Sequence, residues 1–135
     1  MAHPVTRLNP PSLPNSTEIG YSQISVVEPG RMAFVSGQVA WHADGRPTPE
    51  GLPAQMELAC ANAGAALAAL GAGPQDIAIL RCYMTDLTPE RLGVAMPVLQ
   101  AFLAGASPSI TGIGVAALAA PELQVEIELT VRLPD

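Results

Sequence analysis

The last strand-like segment of the chain places the tightest constraint on its fold. Along residues 124–131 apolar and polar side chains alternate strictly, which is the pattern of a β-strand with one face in a core. The apolar face carries Val125, Ile127, Leu129 and Val131, and the polar face carries Gln124, Glu126, Glu128 and Thr130. Carboxylates on a sheet are costly unless they are paired, hydrogen-bonded or partly hydrated. The polar face is therefore the first candidate for a functional site, although no cationic residue lies between Arg91 and Arg132.

Several other segments of the chain also have the pattern of a β-strand. Four prolines among residues 1–17 indicate an extended N-terminal arm with turns, so that His3 would lie in a mobile segment. Residues 21–27 and 32–41 predict two strands that form a hairpin. Residues 77–86 predict a third strand, and a strand pair after residue 108 completes the chain.

Two helices complete the order β-β-α-β-α-β-β. Apolar residues recur at helical spacing along residues 54–70, and alanine there favours the helix further. The second helix opens at Thr88 and Pro89 and runs to about Leu103, with Pro97 inside it as an expected kink. We therefore predict a single α+β domain over residues 1–135, with one mixed sheet and both helices on one face. The other face would be bare, which favours oligomerisation.

Charge excludes several classes of function. The formal net charge is −6, all six cations are arginines and there is no lysine. Schiff-base chemistry on a lysine is therefore excluded, and nucleic acid is not expected as a partner because it needs a clustered basic surface. No run of apolar residues reaches transmembrane length and no signal peptide is visible, so that we expect a cytoplasmic protein without membrane partners.

Motifs for cofactors and metals are missing from the sequence. No phosphate-binding glycine fingerprint occurs, and His3, His42 and the two cysteines do not have metal-ligand spacing. We predict neither metal nor cofactor. We interpret Cys60 and Cys82 as buried free thiols in a reducing compartment, with a disulfide or a reactive thiol as the alternative.

A few polar positions are candidates for chemistry, each with a plainer alternative. Gly37, between Ser36 and Gln38, interrupts a strand and indicates either a simple bulge or a backbone that faces a cleft together with the Gln38 amide. Tyr21 begins a strand, where it is either a rim residue or a ligand contact. Glu126 could belong to a solvated face, or could act as a general base or orient a water molecule.

Several short motifs, in this order and spacing, resemble the Rid (reactive intermediate deaminase, YjgF-like, endoribonuclease L-PSP-like) family. The most specific are Ser36-Gly37-Gln38 and the terminal Val-Glu-Ile-Glu at residues 125–128. They are joined by Tyr21-Ser22-Gln23, by Asn62 in the alanine-rich helix, by residues 82–87 and by the segment that begins at Pro108. The resemblance covers roughly residues 8–132.

This resemblance implies a chorismate-mutase-like fold and a homotrimer whose three sheets pack into a central barrel. It also implies small-molecule clefts between subunits, in which active members hydrolyse enamines or imines to 2-keto acids and ammonia without a cofactor. In those clefts an arginine binds the substrate carboxylate, and a glutamate of the last strand helps to position water.

Only some of the family's cleft residues are present at the matching positions of this chain. By resemblance Tyr21, Gly37 and Glu126 match cleft positions, and Gln38, Thr111 and Gly112 lie beside them. Ile110, however, stands where the arginine of the Pro-Ala-Arg-(Ser/Thr) motif belongs, since this chain reads Pro108-Ser109-Ile110-Thr111. Met96 replaces a cleft asparagine and Gly112 a common cysteine.

Isoleucine cannot replace a charge-assisted guanidinium–carboxylate contact, which is worth several kcal/mol in a shielded site, or ~10²-fold in rate. We therefore do not expect 2-imino-acid deaminase activity. One hypothesis is a cofactor-independent hydrolase for an imine, enamine or related C–N compound without the carboxylate, with Glu126 as base and Tyr21 as a polar contact. The other is a non-catalytic trimer that binds a metabolite or a protein. An arginine from elsewhere, such as Arg81 or one of a neighbouring subunit, would change this expectation.

Overall fold

The computed structural model describes residues 2–135 and contains six strands, two α-helices and one short 3-10 helix. The strands are β1 (Val5–Leu8), β2 (Ile24–Val27), β3 (Met32–Gln38), β4 (Ile77–Thr85), β5 (Ser109–Val115) and β6 (Val125–Arg132). The helices are α1 (Leu52–Ala69) and α2 (Pro89–Leu103), and the 3-10 turn at Pro74–Asp76 leads into β4. No helix within this described part of the chain is long and apolar enough to span a membrane.

Four strands form the main sheet in the spatial order β3-β6-β4-β5. β6 is antiparallel to both of its neighbours, whereas β4 and β5 run parallel. A parallel pair needs a crossover connection, and α2 supplies it between β4 and β5. The sheet is therefore mixed, as predicted.

Two strand pairings differ from the sequence prediction. β2 does not form a hairpin with β3 but pairs antiparallel with β1, from Val5 opposite Val27 to Leu8 opposite Ile24. The segment predicted as an extended arm thus supplies β2 with its partner. The two C-terminal strands are not neighbours either, because β4 lies between β5 and β6.

The N-terminal segment is held against the domain. His3 Nε2 lies 3.0 Å from Oδ1 of the buried Asp76, which contradicts the prediction of a mobile segment at His3. Arg7 donates to Ser25 Oγ at 2.7 Å, and Ser25 Oγ lies 2.8 Å from Ser109 Oγ of β5. These contacts join the two-stranded sheet to the edge of the main sheet.

The larger of two buried apolar clusters lies between the main sheet and the two helices. The apolar residues of β6, namely Val125, Ile127, Leu129 and Val131, are all buried, as their alternation predicted. They pack with the buried face of α1, which consists of Met56, Ala59, Cys60, Ala63 and Leu67, and with Leu99 and Leu103 of α2. The opposite face of the sheet has no covering layer within the described chain, and Phe34 there is 78% exposed.

The residues before the first turn of each helix explain where the helix begins. α1 begins after Gly51, whose φ of 84° lies in the left-handed region that favours glycine. α2 begins after Thr88, whose hydroxyl accepts a hydrogen bond from the Arg91 backbone N–H at 3.1 Å. The helix continues through Pro97 to Leu103.

Candidate functional site

The largest group of predicted site residues lines a cavity on the helix side of the sheet. Tyr21, Met96, Ile110 and Gly112 all contribute to it. Parallel pairing places Ile110 opposite Leu80 and Gly112 opposite Cys82, so that these β5 residues face the same side as the core. Sequence positions 21, 96 and 110, which lie far apart in the chain, therefore meet in one protomer.

This cavity has a volume of about 290 Å³ and is almost entirely apolar. Its other lining residues are Ile19, Cys82, Met84, Leu87, Leu92 and Ile113. No charged side chain is among them, and Tyr21 carries the only hydroxyl. A side chain added at Gly112 would meet no atom within 4 Å, so the glycine leaves open space there. The cavity can hold a small apolar molecule, but it offers no partner for a carboxylate.

Sequence reasoning missed six of the ten lining residues. Cys82 and Met84 belong to the buried face of β4, and Leu87 and Leu92 flank the start of α2. Cys82, Met84 and Leu87 belong to the motif at residues 82–87, but their residue types are those of ordinary core positions and did not mark them as site residues. Burial raises the pKa of the Cys82 thiol to about 11, which keeps it neutral near pH 7 and makes it a poor nucleophile.

Cys60 does not line the cavity. Burial, with smaller contributions from Cys82 and Glu57, raises the pKa of its thiol to about 12. Both cysteines are free and buried, as predicted.

The predicted general base lies on the other face of the sheet. Glu126 alternates with the buried residues of β6 and therefore points away from the helices. In the neighbouring strand β3, Gly37 leaves the space that the Glu126 carboxylate occupies, because a Cβ at position 37 would overlap it. Among residues 2–135, no side chain or backbone group forms a hydrogen bond or ion pair with that carboxylate.

Arg81 pairs with the other glutamate of the strand. The β4–β6 register sets Arg81 opposite Glu128 and Tyr83 opposite Glu126. Arg81 Nη1 lies 3.2 Å from Glu128 Oε1, and the Tyr83 hydroxyl lies 3.4 Å from the same oxygen. Within the protomer Arg81 therefore does not supply the missing cation to Glu126 or to the apolar cavity.

The remaining predicted residues also lie outside the cavity. A register shift between Val35 and Gln38 confirms a bulge in β3, and Gln38 Nε2 donates across it to Ser36 O at 3.0 Å. Thr111 is exposed and lies opposite Arg81 in the β4–β5 pair. In one protomer the sheet thus separates the group around Tyr21 and Ile110 from the group around Glu126 and Gly37.

The chain is similar to several known proteins over most of its length. The family model described as Endoribonuclease L-PSP matches residues 14–133. The RutC family protein YjgH of Escherichia coli (strain K12) is 32% identical over 111 residues, which cover 82% of each chain.

Solved structures show the same relationship. The Rid-family protein YyfB from Yersinia pestis superposes with a TM-score of 0.91 at 36% identity, covering 96% of this chain and 99% of that one. TdcF from E. coli, solved with bound serine, superposes with a TM-score of 0.69 at 26% identity, covering 83% and 87%. These similarities confirm the predicted chorismate-mutase-like α+β fold.

Proposed function

Because this chain belongs to the endoribonuclease L-PSP family, the Rid or YjgF-like proteins, we propose that it acts as a homotrimer with a small-molecule cleft between subunits. The separation of the site residues supports this assembly. Glu126 and the apolar cavity lie on opposite faces of one sheet, so that a cleft using both must take them from two copies. The bare, partly apolar sheet face offers a surface for the neighbouring copy.

The proposed ligand is a small molecule without a carboxylate. The observation that carries this conclusion is the uncharged cavity wall around Ile110, where a carboxylate would lose its hydration without gaining a cation. Glu126, which has no cation beside it in the protomer, would repel an anion further. A neutral or cationic imine, enamine or related C–N compound fits these constraints.

The proposed reaction is hydrolysis of the C–N bond. Water adds to the carbon of the protonated imine while the Glu126 carboxylate of the neighbouring copy accepts a proton from that water, which gives a neutral carbinolamine. The protonated Glu126 then returns the proton to the nitrogen, the C–N bond breaks, and the hydroxyl proton leaves with the ammonia as ammonium, so that a carbonyl remains. Tyr21, the polar group of the cavity, would hydrogen-bond the substrate. The step needs neither a cofactor nor an oxidant.

The test compares two substrates that differ in the carboxylate. Ammonia release is followed from freshly generated 2-iminobutanoate and from benzaldimine, formed in situ from benzylamine by a flavin-dependent amine oxidase. We expect acceleration of benzaldimine hydrolysis and none for 2-iminobutanoate. If the wild-type protein accelerates the hydrolysis of 2-iminobutanoate, Ile110 does not prevent turnover of a substrate that carries a carboxylate.

A pair of variants tests the cavity wall directly. Ile110→Arg restores a cation at the motif position and should raise 2-iminobutanoate turnover by ~10²-fold over the wild type. Leu92→Arg places the same charge on the helix wall of the same cavity and should not. Equal rates for both variants would contradict a specific role for position 110.

A second candidate is a non-catalytic binding trimer. The neutral Cys82 thiol and the uncharged wall favour it, since neither supplies a nucleophile or an electrophile. Glu126→Gln separates the two candidates. Loss of benzaldimine turnover in this variant supports hydrolysis with Glu126 as the base, whereas an unchanged rate removes Glu126 from any mechanism. A wild-type protein that does not accelerate benzaldimine hydrolysis at all favours binding alone.

A further inference from the structure

A second cavity, of about 370 Å³, shares no lining residue with the apolar one. It lies where β4 ends, α2 begins and the segment before β6 passes over them. Its polar lining comes from Thr85, Asp86, Arg91 and Gln124, and the rest from apolar residues between 116 and 123. Nothing in the proposed hydrolase mechanism uses this cavity.

The Arg91 guanidinium in this cavity is only partly satisfied. Its Nη2 donates to Thr85 O at 3.3 Å and to Gln124 Oε1 at 3.1 Å, both neutral acceptors. Its Nε is buried and has no hydrogen-bond partner. No carboxylate among residues 2–135 lies within 4.0 Å of it. A buried charged donor without an acceptor is costly, and this guanidinium also lacks an anionic partner within the described chain.

The surrounding structure holds this guanidinium in place. Thr85 N donates to Gln124 O at 3.1 Å, and Gln124 N donates to Gln55 Oε1 at 2.9 Å. Gln55 is itself buried, and its amide donates to Glu122 O at 2.8 Å and to Pro49 O at 3.2 Å. The wall of the cavity is therefore connected to α1 and to the preceding loop, which is the support that a preformed binding site needs.

We propose that this second cavity is a binding site for the carboxylate of a small organic anion, with Arg91 as the charged ligand. A guanidinium and a carboxylate form charge-assisted hydrogen bonds, and the ligand would supply Arg91 with the anionic acceptor that it lacks among the described residues. Asp86 also lines the cavity and opposes additional negative charge. One cation facing one carboxylate favours a monoanion over a phosphate dianion.

The Nε–H group of Arg91 provides a direct measurement in the wild-type protein. Arginine Nε–H signals are followed by 1H–15N NMR while sodium acetate replaces sodium chloride at constant ionic strength. We expect the Arg91 signal to shift with saturation in the millimolar range. The Arg46 signal is the internal control, since its Nε is already paired with Asp44 at 2.8 Å. An Arg91 signal that moves no more than that of Arg46 would overturn the proposal.

Two further titrations test whether the ligand is a carboxylate and whether Arg91 binds it. Inorganic phosphate at the same ionic strength should bind at least tenfold more weakly than acetate, and equal or tighter binding would overturn the carboxylate assignment. Arg91→Gln should abolish acetate binding measured from backbone amide shifts of residues 116–124, whereas Arg46→Gln should not. If Arg91→Gln still binds acetate, the proposal is also overturned. If the variant does not fold, the titration of the wild-type protein alone decides the question. Because the two cavities share no lining residue, the absence of acetate binding at the second cavity would not contradict the proposed hydrolase function.

Discussion

Gly37 and Glu126 fit together only because position 37 has no side chain. The carboxylate of Glu126 occupies the space that a Cβ at position 37 would need. This contact crosses from β6 to β3 at the bulge, on the open face of the sheet. The mid-strand glycine therefore has a specific packing reason as well as its family resemblance.

Gly37→Ala should lower the free energy of unfolding by at most about 1 kcal/mol, because the displaced atoms are the far end of the flexible Glu126 side chain on an open face of the sheet. In a double-mutant cycle with Glu126→Ala the two losses should not add, with a coupling of at least ~0.5 kcal/mol. Urea denaturation at a fixed protein concentration measures both quantities.

Gly93→Ala is the matched control for that substitution. Position 93 lies within α2, and an added Cβ there meets no atom within 4 Å. The variant should be more stable than the wild type by up to ~1 kcal/mol, since alanine favours helix. Strictly additive losses for positions 37 and 126 would refute the close contact.

The two buried thiols predict a dependence of stability on alkaline pH. In the unfolded chain the thiols ionise near their ordinary pKa of about 9, whereas in the folded protein the pKa of Cys60 is about 12 and that of Cys82 about 11. The stability that the two protonated thiols contribute to the folded state is fully present below pH 9. Above it the unfolded state binds fewer protons, so that stability falls by up to about 1.4 kcal/mol per pH unit for each thiol.

The measurement is the slope of unfolding free energy against pH between 9 and 11. A variant that carries both Cys60→Ala and Cys82→Ala should show a shallower slope than the wild type, whatever its stability at pH 8. Identical slopes would mean that the thiols are not protected from ionisation.

At the scale of elements, α2 depends on the cap at its first turn. The Thr88 hydroxyl accepts from the Arg91 backbone N–H, and Arg91 in turn reaches Thr85 O and Gln124 with its side chain. The cap therefore stabilises the helix and also positions the guanidinium of the second cavity.

Thr88→Ala should cost about 1 kcal/mol of stability, because one N–H of the first turn loses its acceptor. Thr88→Ser keeps the hydroxyl and should recover most of the loss. Thr48→Ala is the control, since the Thr48 hydroxyl has no hydrogen-bond partner within the described residues. Chemical denaturation of the three variants checks this, and equal stability of Thr88→Ala and wild type would exclude a capping role.

At the scale of the whole molecule, the open face of the main sheet is the most informative surface. Phe34 stands 78% exposed on it and lines the same surface depression as Arg81 of β4 and Glu128 of β6. A large exposed aromatic side chain on a sheet face is typical of a surface that another chain covers. The proposed trimer would bury it.

Phe34→Asp should therefore convert a trimer into monomers, because a carboxylate would replace the aromatic ring in the interface. Trp41→Asp is the control, since Trp41 is 48% exposed in the loop after β3 and lies outside the main sheet. Analytical ultracentrifugation measures the mass of each. A monomeric wild type, or a trimeric Phe34→Asp variant, would contradict the assembly.

The sequence by itself determined the features that repeat over a few residues. The buried face of β6, the apolar face of α1 and the cap at Thr88 follow from side-chain period and local hydrogen bonding, and both are properties of neighbouring residues. The fold class could be predicted for the same reason, with the family motifs as independent support.

Only the tertiary structure decided which strands pair and which site residues meet. Backbone hydrogen-bonding groups are alike in every strand, so that local pattern could not show that β1 pairs with β2 or that β4 separates β5 from β6. The partner of Arg81 and the separation of Glu126 from Ile110 follow from that pairing, and the surroundings of the Arg91 guanidinium follow from the packing of α2 against the end of β4 and Gln124. They depend on residues brought together from distant parts of the chain, which no short window of sequence contains.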